Sequence, residues 1–405
     1  MASTAGVHFA IIKEGKTPTD RRVVFSPAKI LEAKTLYSKA SFTVQASGVR
    51  VFKNKAYQEL GISVCHDIKH CDVLIGVKEV PIEDLIPDKT YFFFSHTIKK
   101  QPYSKALLKA ILDKNITLYD HETLIDKTGN RLVGFGSYAG SVGVYNGFRA
   151  WGLKHDTWQL PKAVTLEHQN ALKEALLKLR LPNIKILLTG KGNVAISAKH
   201  MLDALCIKEV SVNDYLTLNF NEPVYCNIDV LDYNKRNDGK VLNEADFFNN
   251  PKEYQSCFMP FAKVTQYYIA GHYYANDAPS IITKADAKHP EFSIKVIADI
   301  SCDINGPIAP TLRASTIENP IYGYNTVTGQ ETHYKNKNAI TVMAIDNLPC
   351  ELPKAASEGF GTLFLKHVMP AFFNNDKDGL LERARITKNG KLTPRFTYLK
   401  DYVED

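Results

Sequence analysis

Residues 184–214 read IKILLTGKGNVAISAKHMLDALCIKEVSVND, and three signals follow one another there. IKILLTG is a short apolar run of strand type, and VAISAKHMLDAL has apolar residues at helical spacing. Between them stands Gly190-x-Gly192-x-x-Ala195. Gly190 permits a tight turn, and Gly192 lets the backbone approach a pyrophosphate. Asn193 and Val194 open the helix, where free N–H groups and the positive end of the helix dipole face an anion. EVSVN reads as the next strand, ending on Asp214, 24 positions beyond Gly190. A carboxylate there accepts hydrogen bonds from ribose hydroxyls and repels a 2′-phosphate, which favours NAD over NADP. A glycine turn in any α/β unit has similar letters; the strand before it, the helix after it and the acidic residue make it a dinucleotide fingerprint.

Alternation of strand and helix extends in both directions. Upstream, VHFAIIKEG is a strand, PAKILEAKTLY a helix with a proline start, and SFTVQAS a second strand. DVLIGV, TYFFFS and ITLYD are three more apolar runs, the last two joined by the amphipathic PYSKALLKAILDK. RLVGFGSYAGSVGVYNGFRAWGLK predicts a close-packed helix, since each interior glycine costs about 1 kcal/mol against alanine. Downstream, YYIAGHYY, KVIADISCD and TVMAIDNLP supply further strands, the last two ending near Asp299 and Asp346. A helix at ELPKAASEGFGTLFLKHVMPAFF and a turn at KNGK complete the chain. The pattern predicts α/β architecture with two Rossmann-like, doubly wound parallel-sheet domains. Their expected extents are 1–137 plus 347–405 for a catalytic domain and 138–346 for a dinucleotide-binding domain.

Ligands of open α/β sheets bind beyond the carboxyl ends of the strands. In the first domain those ends carry Arg21-Arg22, Lys78-Glu79, His96 and Asp120-His121-Glu122. One charged loop residue is commonplace, but four successive strand ends with ionisable groups indicate a site.

The bulk numbers exclude several classes. With 405 residues, 44% hydrophobic and 23% charged, the chain suits two globular domains. A net charge of +7 without dense basic runs argues against nucleic acid. No basic leader opens MASTAGVHFAIIKEG, and no apolar stretch reaches membrane-spanning length, so neither a targeting segment nor a membrane partner is expected. Seven cysteines without a C-x-x-C pair fit free thiols in a reducing cytoplasm. SVCHDIKHC brings Cys65, His66, His70 and Cys71 close in sequence, but no second knuckle follows, and no metal is expected.

GVKEVP, FFFSHTIKK, LYDHETLID and RLVGFGSYAG, followed by TGKGNVA, ADISCDINGPI and IDNLPCELPKAAS, together resemble saccharopine dehydrogenases and lysine–2-oxoglutarate reductases. That family sits in a wider group with alanine dehydrogenase and the transhydrogenase NAD-binding subunit. Alanine dehydrogenases carry N-M-P-G where this chain has Asp346-Asn347-Leu348-Pro349. The resemblance runs from about residue 8 to the C-terminus. It implies an inter-domain cleft and a reaction interconverting saccharopine with lysine and 2-oxoglutarate. It assigns Lys78 and His96 as acid–base groups, with Glu79 and Glu122 tuning them, and Arg22, Lys99 and Arg131 as partners of substrate carboxylates. Gly190, Gly192, Asn193, Val194, Asp214, Asp299 and Asp346 are the expected cofactor-binding set. Bifunctional reductases of this family use NADPH and fungal lysine-forming enzymes NAD, so NADP stands beside NAD, and the direction of reaction is open. Two alternatives remain: an amino-acid dehydrogenase using free ammonia, and a non-catalytic NAD-binding subunit. Wide apolar helix faces allow a homodimer.

Overall fold

Short apolar runs bounded by polar residues become strands buried on both faces, as parallel sheets require. The computed structural model describes residues 6–404, with the exception of 18 and 276; residues 1–5, read above for a leader, lie outside it. Two compact units divide the chain, one running to Phe135 and resuming at Pro353, the other spanning Gly136–Leu352.

The first unit holds six parallel strands, β1 (Val7–Ile11), β2 (Ala40–Gln45), β3 (Ser63–Cys65), β4 (Val73–Lys78), β5 (Thr90–Phe94) and β6 (Thr117–Asp120). Their order is β3-β2-β1-β4-β5-β6, so the chain reverses direction across the sheet between β1 and β4. That switch point is where a crevice opens in such sheets. Helices α1 (Pro27–Leu36), α2 (Asn54–Gln58) and α3 (Lys105–Asp113) belong to the same unit. Pro27 starts α1 while Ser26 caps it by accepting from the Lys29 N–H. The aromatic run of β5 is divided by the pleat. Tyr91 and Phe93 join Leu107, Leu108 and Ile111 of α3 in one core. Phe92 and Phe94 point the other way, toward the aromatic side chains Phe364 and Phe360 that the C-terminal segment returns to this unit.

The second unit opens with α4 (Gly136–His155) and α5 (Gln169–Leu176). The expected close packing of the glycine-rich helix is present: a Cβ on Gly140 would sit 2.2 Å from the Val194 carbonyl oxygen. Its sheet contains β7 (Lys185–Thr189), β8 (Lys208–Glu209) and β9 (Val224–Ile228). Helices α6 (Asn193–Ala204) and α7 (Val212–Thr217) follow β7 and β8. A hairpin, β10 (Asn234–Arg236) with β11 (Tyr254–Ser256), brackets α8 (Glu244–Asn249), and α9 (Met259–Val264) follows it. Then come β12 (Tyr267–Ala270), α10 (Lys284–Lys288), β13 (Val296–Asp299), β14 (Ile321–Asn325), β15 (Glu331–Thr332) and β16 (Ala339–Met343). The order is β15-β14-β16-β13-β12-β7-β9-β8, with β14 antiparallel to β16 and to β15.

Two readings change here. EVSVN does not continue as a strand to Asp214: β8 ends at Glu209, and Ser211 caps α7 by accepting from the Asp214 N–H at 3.1 Å. Asp214 therefore lies in the first turn of a helix. The strand beside β7 is β9, and it ends next to Asp229. At the far boundary, the turn Leu348–Glu351 was expected in the first domain but packs in the second unit, where Glu351 accepts a hydrogen bond from Asn146 at 2.6 Å. Among the described residues, no helix is long and apolar enough to cross a membrane.

Candidate functional site

In the first unit the pairing of β4 with β5 slips between Ile75 and Lys78. An irregularity of this kind frees backbone groups and re-aims the next side chain, here Lys78. Two side chains take up the freed groups. Glu14, beyond β1, accepts from the Val77 N–H at 2.7 Å and the Lys78 N–H at 2.8 Å. His121 Nε2 donates to the Gly76 carbonyl at 2.8 Å. Burial pushes His121 down to about 4, so it is neutral, and its Nε2 carries the proton. Lys78 is thus fixed at its backbone by residues from the ends of β1 and β6.

Burial lowers the Lys78 ammonium below its ordinary range, and the positive charges of Arg22 and Lys16 add to the effect against Glu79 and Asp20. A lysine so lowered is available as a base. Lys16 ion-pairs Glu79 at 2.7 Å. Burial works against that carboxylate, but the Lys16 hydrogen bond still holds it below the usual range. Arg22 is buried, is gripped from two sides by Asp20 at 2.6 and 3.0 Å, and lies 4.2 Å over the Phe135 ring.

His96 has φ 56°, a left-handed conformation uncommon outside glycine. The buried Asp120 carboxylate accounts for it. It accepts from the Ser95 N–H at 2.8 Å, the His96 N–H at 2.9 Å, the Ser95 hydroxyl at 2.5 Å and, through its other oxygen, the Glu122 N–H at 2.7 Å. Strain held this firmly is characteristic of working side chains. The same carboxylate that turns His96 out also sets Glu122. Glu122 pairs with Arg131 at 2.8 Å and Lys99 at 3.1 Å, and faces His96 Nδ1 at 3.7 Å. Burial favours the neutral acid, yet His96, Arg131 and Lys99 together hold the Glu122 carboxyl well below the usual carboxylate range. The structure therefore gathers Glu79 with Lys78, and Glu122, Lys99 and Arg131 with His96. Glu14, Asp120 and His121 complete the arrangement; sequence placed Asp120 and His121 at a strand end without a role, and Glu14 was not singled out.

Glu14 gives the first test. Burial raises its carboxyl from 4.5 to about 8, against the two backbone hydrogen bonds. A proton bound more tightly in the folded state makes folding favourable below pH 4.5, and that contribution is lost as pH climbs toward 8. Glu14→Gln removes the titration. The stability of the variant relative to wild type should rise by a few kcal/mol, order of magnitude, between pH 5 and pH 8 in denaturant melts. A difference independent of pH would refute the buried acid.

In the second unit Gly190 has φ 101°, and a Cβ there would meet the Gly271 carbonyl oxygen and His272 Cα, each at 2.8 Å. Only glycine makes this turn. A Cβ on Gly192 would meet nothing within 4 Å, and no side chain caps α6, so the N–H groups of its first turn, which Asn193 and Val194 begin, are open to an anion. Asp229 receives Lys191 of the glycine turn at 3.0 Å, and Lys191 also ion-pairs Glu244. Those features fit a dinucleotide: a turn without Cβ, an uncapped helix start and a carboxylate on the neighbouring strand. Asp214 is half-buried and outside this group. The buried Asp299 carboxylate is committed to the hydroxyls of Ser301 and Thr311 and the Cys302 N–H, at 2.7, 2.6 and 3.0 Å. Asp346 is exposed beyond β16.

At the amino ends of β1 and β4, His8 joins His70 and Cys71, with donor atoms within 4.8 Å; Cys65 and His66 are not among them. Burial pushes the Cys71 thiol up to about 11, and His8 Nε2 is already 2.8 Å from the Thr43 hydroxyl.

Residues 10–142 match the family model of the alanine dehydrogenase/PNT N-terminal domain. Alpha-aminoadipic semialdehyde synthase of Arabidopsis thaliana is 25% identical over 96% of this chain and 41% of its own length. The mitochondrial alpha-aminoadipic semialdehyde synthase of Rattus norvegicus is 28% identical over 98% of this chain and 48% of its own. This chain thus spans less than half of those relatives. Saccharopine dehydrogenase [NAD(+), L-lysine-forming] of Candida glabrata is 26% identical over 93% of this chain and 97% of its own. Among solved structures, L-alanine dehydrogenase aligns over 98% of this chain and 100% of its own with TM-score 0.65 at 15% identity. Transhydrogenase from Sinorhizobium meliloti aligns over 96% and 100% with TM-score 0.58 at 17% identity. Those two likenesses concern the fold. The chain is thus similar over residues 10–142 to the alanine dehydrogenase/PNT N-terminal domain, and along most of its length to lysine-forming saccharopine dehydrogenases and alpha-aminoadipic semialdehyde synthases.

Proposed function

We propose that this chain is a pyridine-nucleotide oxidoreductase acting on a CH–NH bond, interconverting saccharopine with lysine and 2-oxoglutarate. The observation that carries the reading is a lysine lowered by burial and by neighbouring cations, at the end of β4, beside a histidine held left-handed at the end of β5. The names of the relatives support the same chemistry.

In this reading neutral Lys78 Nζ accepts the proton of the substrate's secondary amine. His96 takes a proton from the water that adds to the resulting imine carbon, then returns one to the nitrogen as the C–N bond breaks. Glu122 keeps His96 oriented and shares Lys99 and Arg131 with it. Half-exposed, these two cations can also turn toward a substrate carboxylate, for which the planar arginine is suited. Arg22, fixed on Asp20, supplies positive charge that, after burial, further favours the neutral amine of Lys78. Gly190, Gly192, Asn193 and Val194 would hold the pyrophosphate, and Asp229 the adenosine ribose. The nicotinamide, when bound, supplies the hydride exchange. Asp229 favours NAD, since a carboxylate repels a 2′-phosphate.

The test is oxidation of NADH and of NADPH by the purified protein with 2-oxoglutarate, with and without lysine, and separately with pyruvate and ammonia. Oxidation that requires lysine and 2-oxoglutarate together is expected. Activity with pyruvate and ammonia alone would replace this reading with an alanine dehydrogenase-like one. No oxidation in any mixture would leave a nucleotide-binding subunit.

A further inference from the structure

Two large aromatic side chains of the second unit stay open to solvent where strands deliver them to one place. In YYIAGHYY, Tyr267 and Tyr268 are fully buried, whereas Tyr273, three residues past the end of β12, is 76% exposed. On α8, Phe247 enters the core against Tyr254, while Phe248 is 37% exposed. The rings of Phe248 and Tyr273 meet with centroids 6.2 Å apart and planes inclined by 48°.

Topology explains the meeting. β7 lies between β9 and β12, and the glycine turn leaves its carboxyl end. On one side β9 leads past Asp229 to α8. On the other, β12 leads through Gly271 and His272, which abut Gly190, to Tyr273. Lys191 of the turn ties the first side down by pairing with both Asp229 and Glu244. Glu244 and Phe248 are four apart on α8 and share a face, so the ion pair turns Phe248 toward the turn.

We propose that Phe248 and Tyr273 form the platform for the adenine ring of the dinucleotide, an inference that rests on the nucleotide reading of the glycine turn. Phe248 belongs to the segment that follows β9 and Asp229, the side assigned to the adenosine ribose, and Tyr273 reaches it from the loop after β12; the tie of α8 to Asp229 through Lys191 selects adenine over nicotinamide. A flat purine stacks on exposed aromatic faces without needing any particular hydrogen bond.

The test is calorimetric titration of the full chain with NADH, ADP-ribose and reduced nicotinamide mononucleotide. Tyr273→Ala and Phe248→Ala should each weaken NADH and ADP-ribose about tenfold and leave the mononucleotide unchanged, while Tyr273→Phe stays within twofold of wild type. Thermal melting of each variant verifies folding. Wild-type binding of ADP-ribose that both alanine variants retain within twofold would overturn the platform alone. Loss of mononucleotide affinity in the variants would move the pair to the nicotinamide and overturn the adenine assignment. A wild type that binds neither NADH nor ADP-ribose would overturn the nucleotide reading and the platform with it.

Discussion

Lys78→Met should lower the proposed turnover with lysine and 2-oxoglutarate by about 10²–10⁴-fold, the range that a positioned acid–base group contributes. Methionine keeps the length and apolar stem of lysine and removes only the ammonium. That ammonium is held in a buried position beside Arg22 and Lys16, which repel it. The variant should therefore melt at the same temperature as wild type or slightly higher, and bind NADH unchanged. The pH profile separates a base from a structural cation. In wild type the limb that reports Lys78 lies below the range of a free lysine, because burial and the neighbouring cations favour the neutral amine. In Lys78→Met that limb disappears. A rate loss under tenfold with the limb intact would remove Lys78 from the chemistry.

The residues that hold Lys78 and His96 were harder to read than the residues themselves. Lys78, His96 and Glu122 stand at or just beyond apolar runs, and the rule that strand ends face the ligand was enough to single them out as candidates. Glu14 and His121 act on backbone groups of β4 around the point where its pairing with β5 slips out of register and its pairing with β1 ends. Apart from Gly76, no letter in DVLIGVK announces that slip. Asp120 was visible as one of three polar residues at the end of β6, but its work is done on the Ser95 and His96 backbone, 25 and 24 positions away. The electrostatics also differ from a count of cations: Lys99 and Arg131 look like open carboxylate partners in sequence, yet both meet Glu122.

In the second unit the glycine turn was legible and its acidic partner was not. EVSVN is β-branched and alternating, the usual sign of a strand. The competing signal is Ser211-x-x-Asp214, a serine followed three residues later by an acid, which marks a helix start, and the structure follows it. VYCNI, the run that lies beside β7, is only five residues long and sits 34 positions after Gly190, where a βαβ reading does not look for the second strand.

Asp229→Ser should shift the ratio of kcat/KM for NADPH over NADH by about 10–10²-fold toward NADPH, while Asp214→Asn leaves it within twofold. Asp229 lies at the end of the strand beside β7 and touches Lys191 of the glycine turn at 3.0 Å, where a ribose hydroxyl finds an acceptor and a 2′-phosphate meets negative charge. Two unit charges 4 Å apart interact by about 1 kcal/mol in water and about 4 kcal/mol at a dielectric of 20, so a partly exposed carboxylate sits at the lower part of that range. Removing it also leaves Lys191 with one carboxylate partner, Glu244, in place of two, and a less neutralised lysine favours the phosphate further. Asp214 is half-buried in the first turn of α7, where its backbone serves the Ser211 cap. A ratio that responds to Asp214 and not to Asp229 would return the ribose to the strand-end reading of EVSVN. A wild type that already prefers NADPH would show that the Lys191 charge outweighs Asp229, and the selector would then be the lysine.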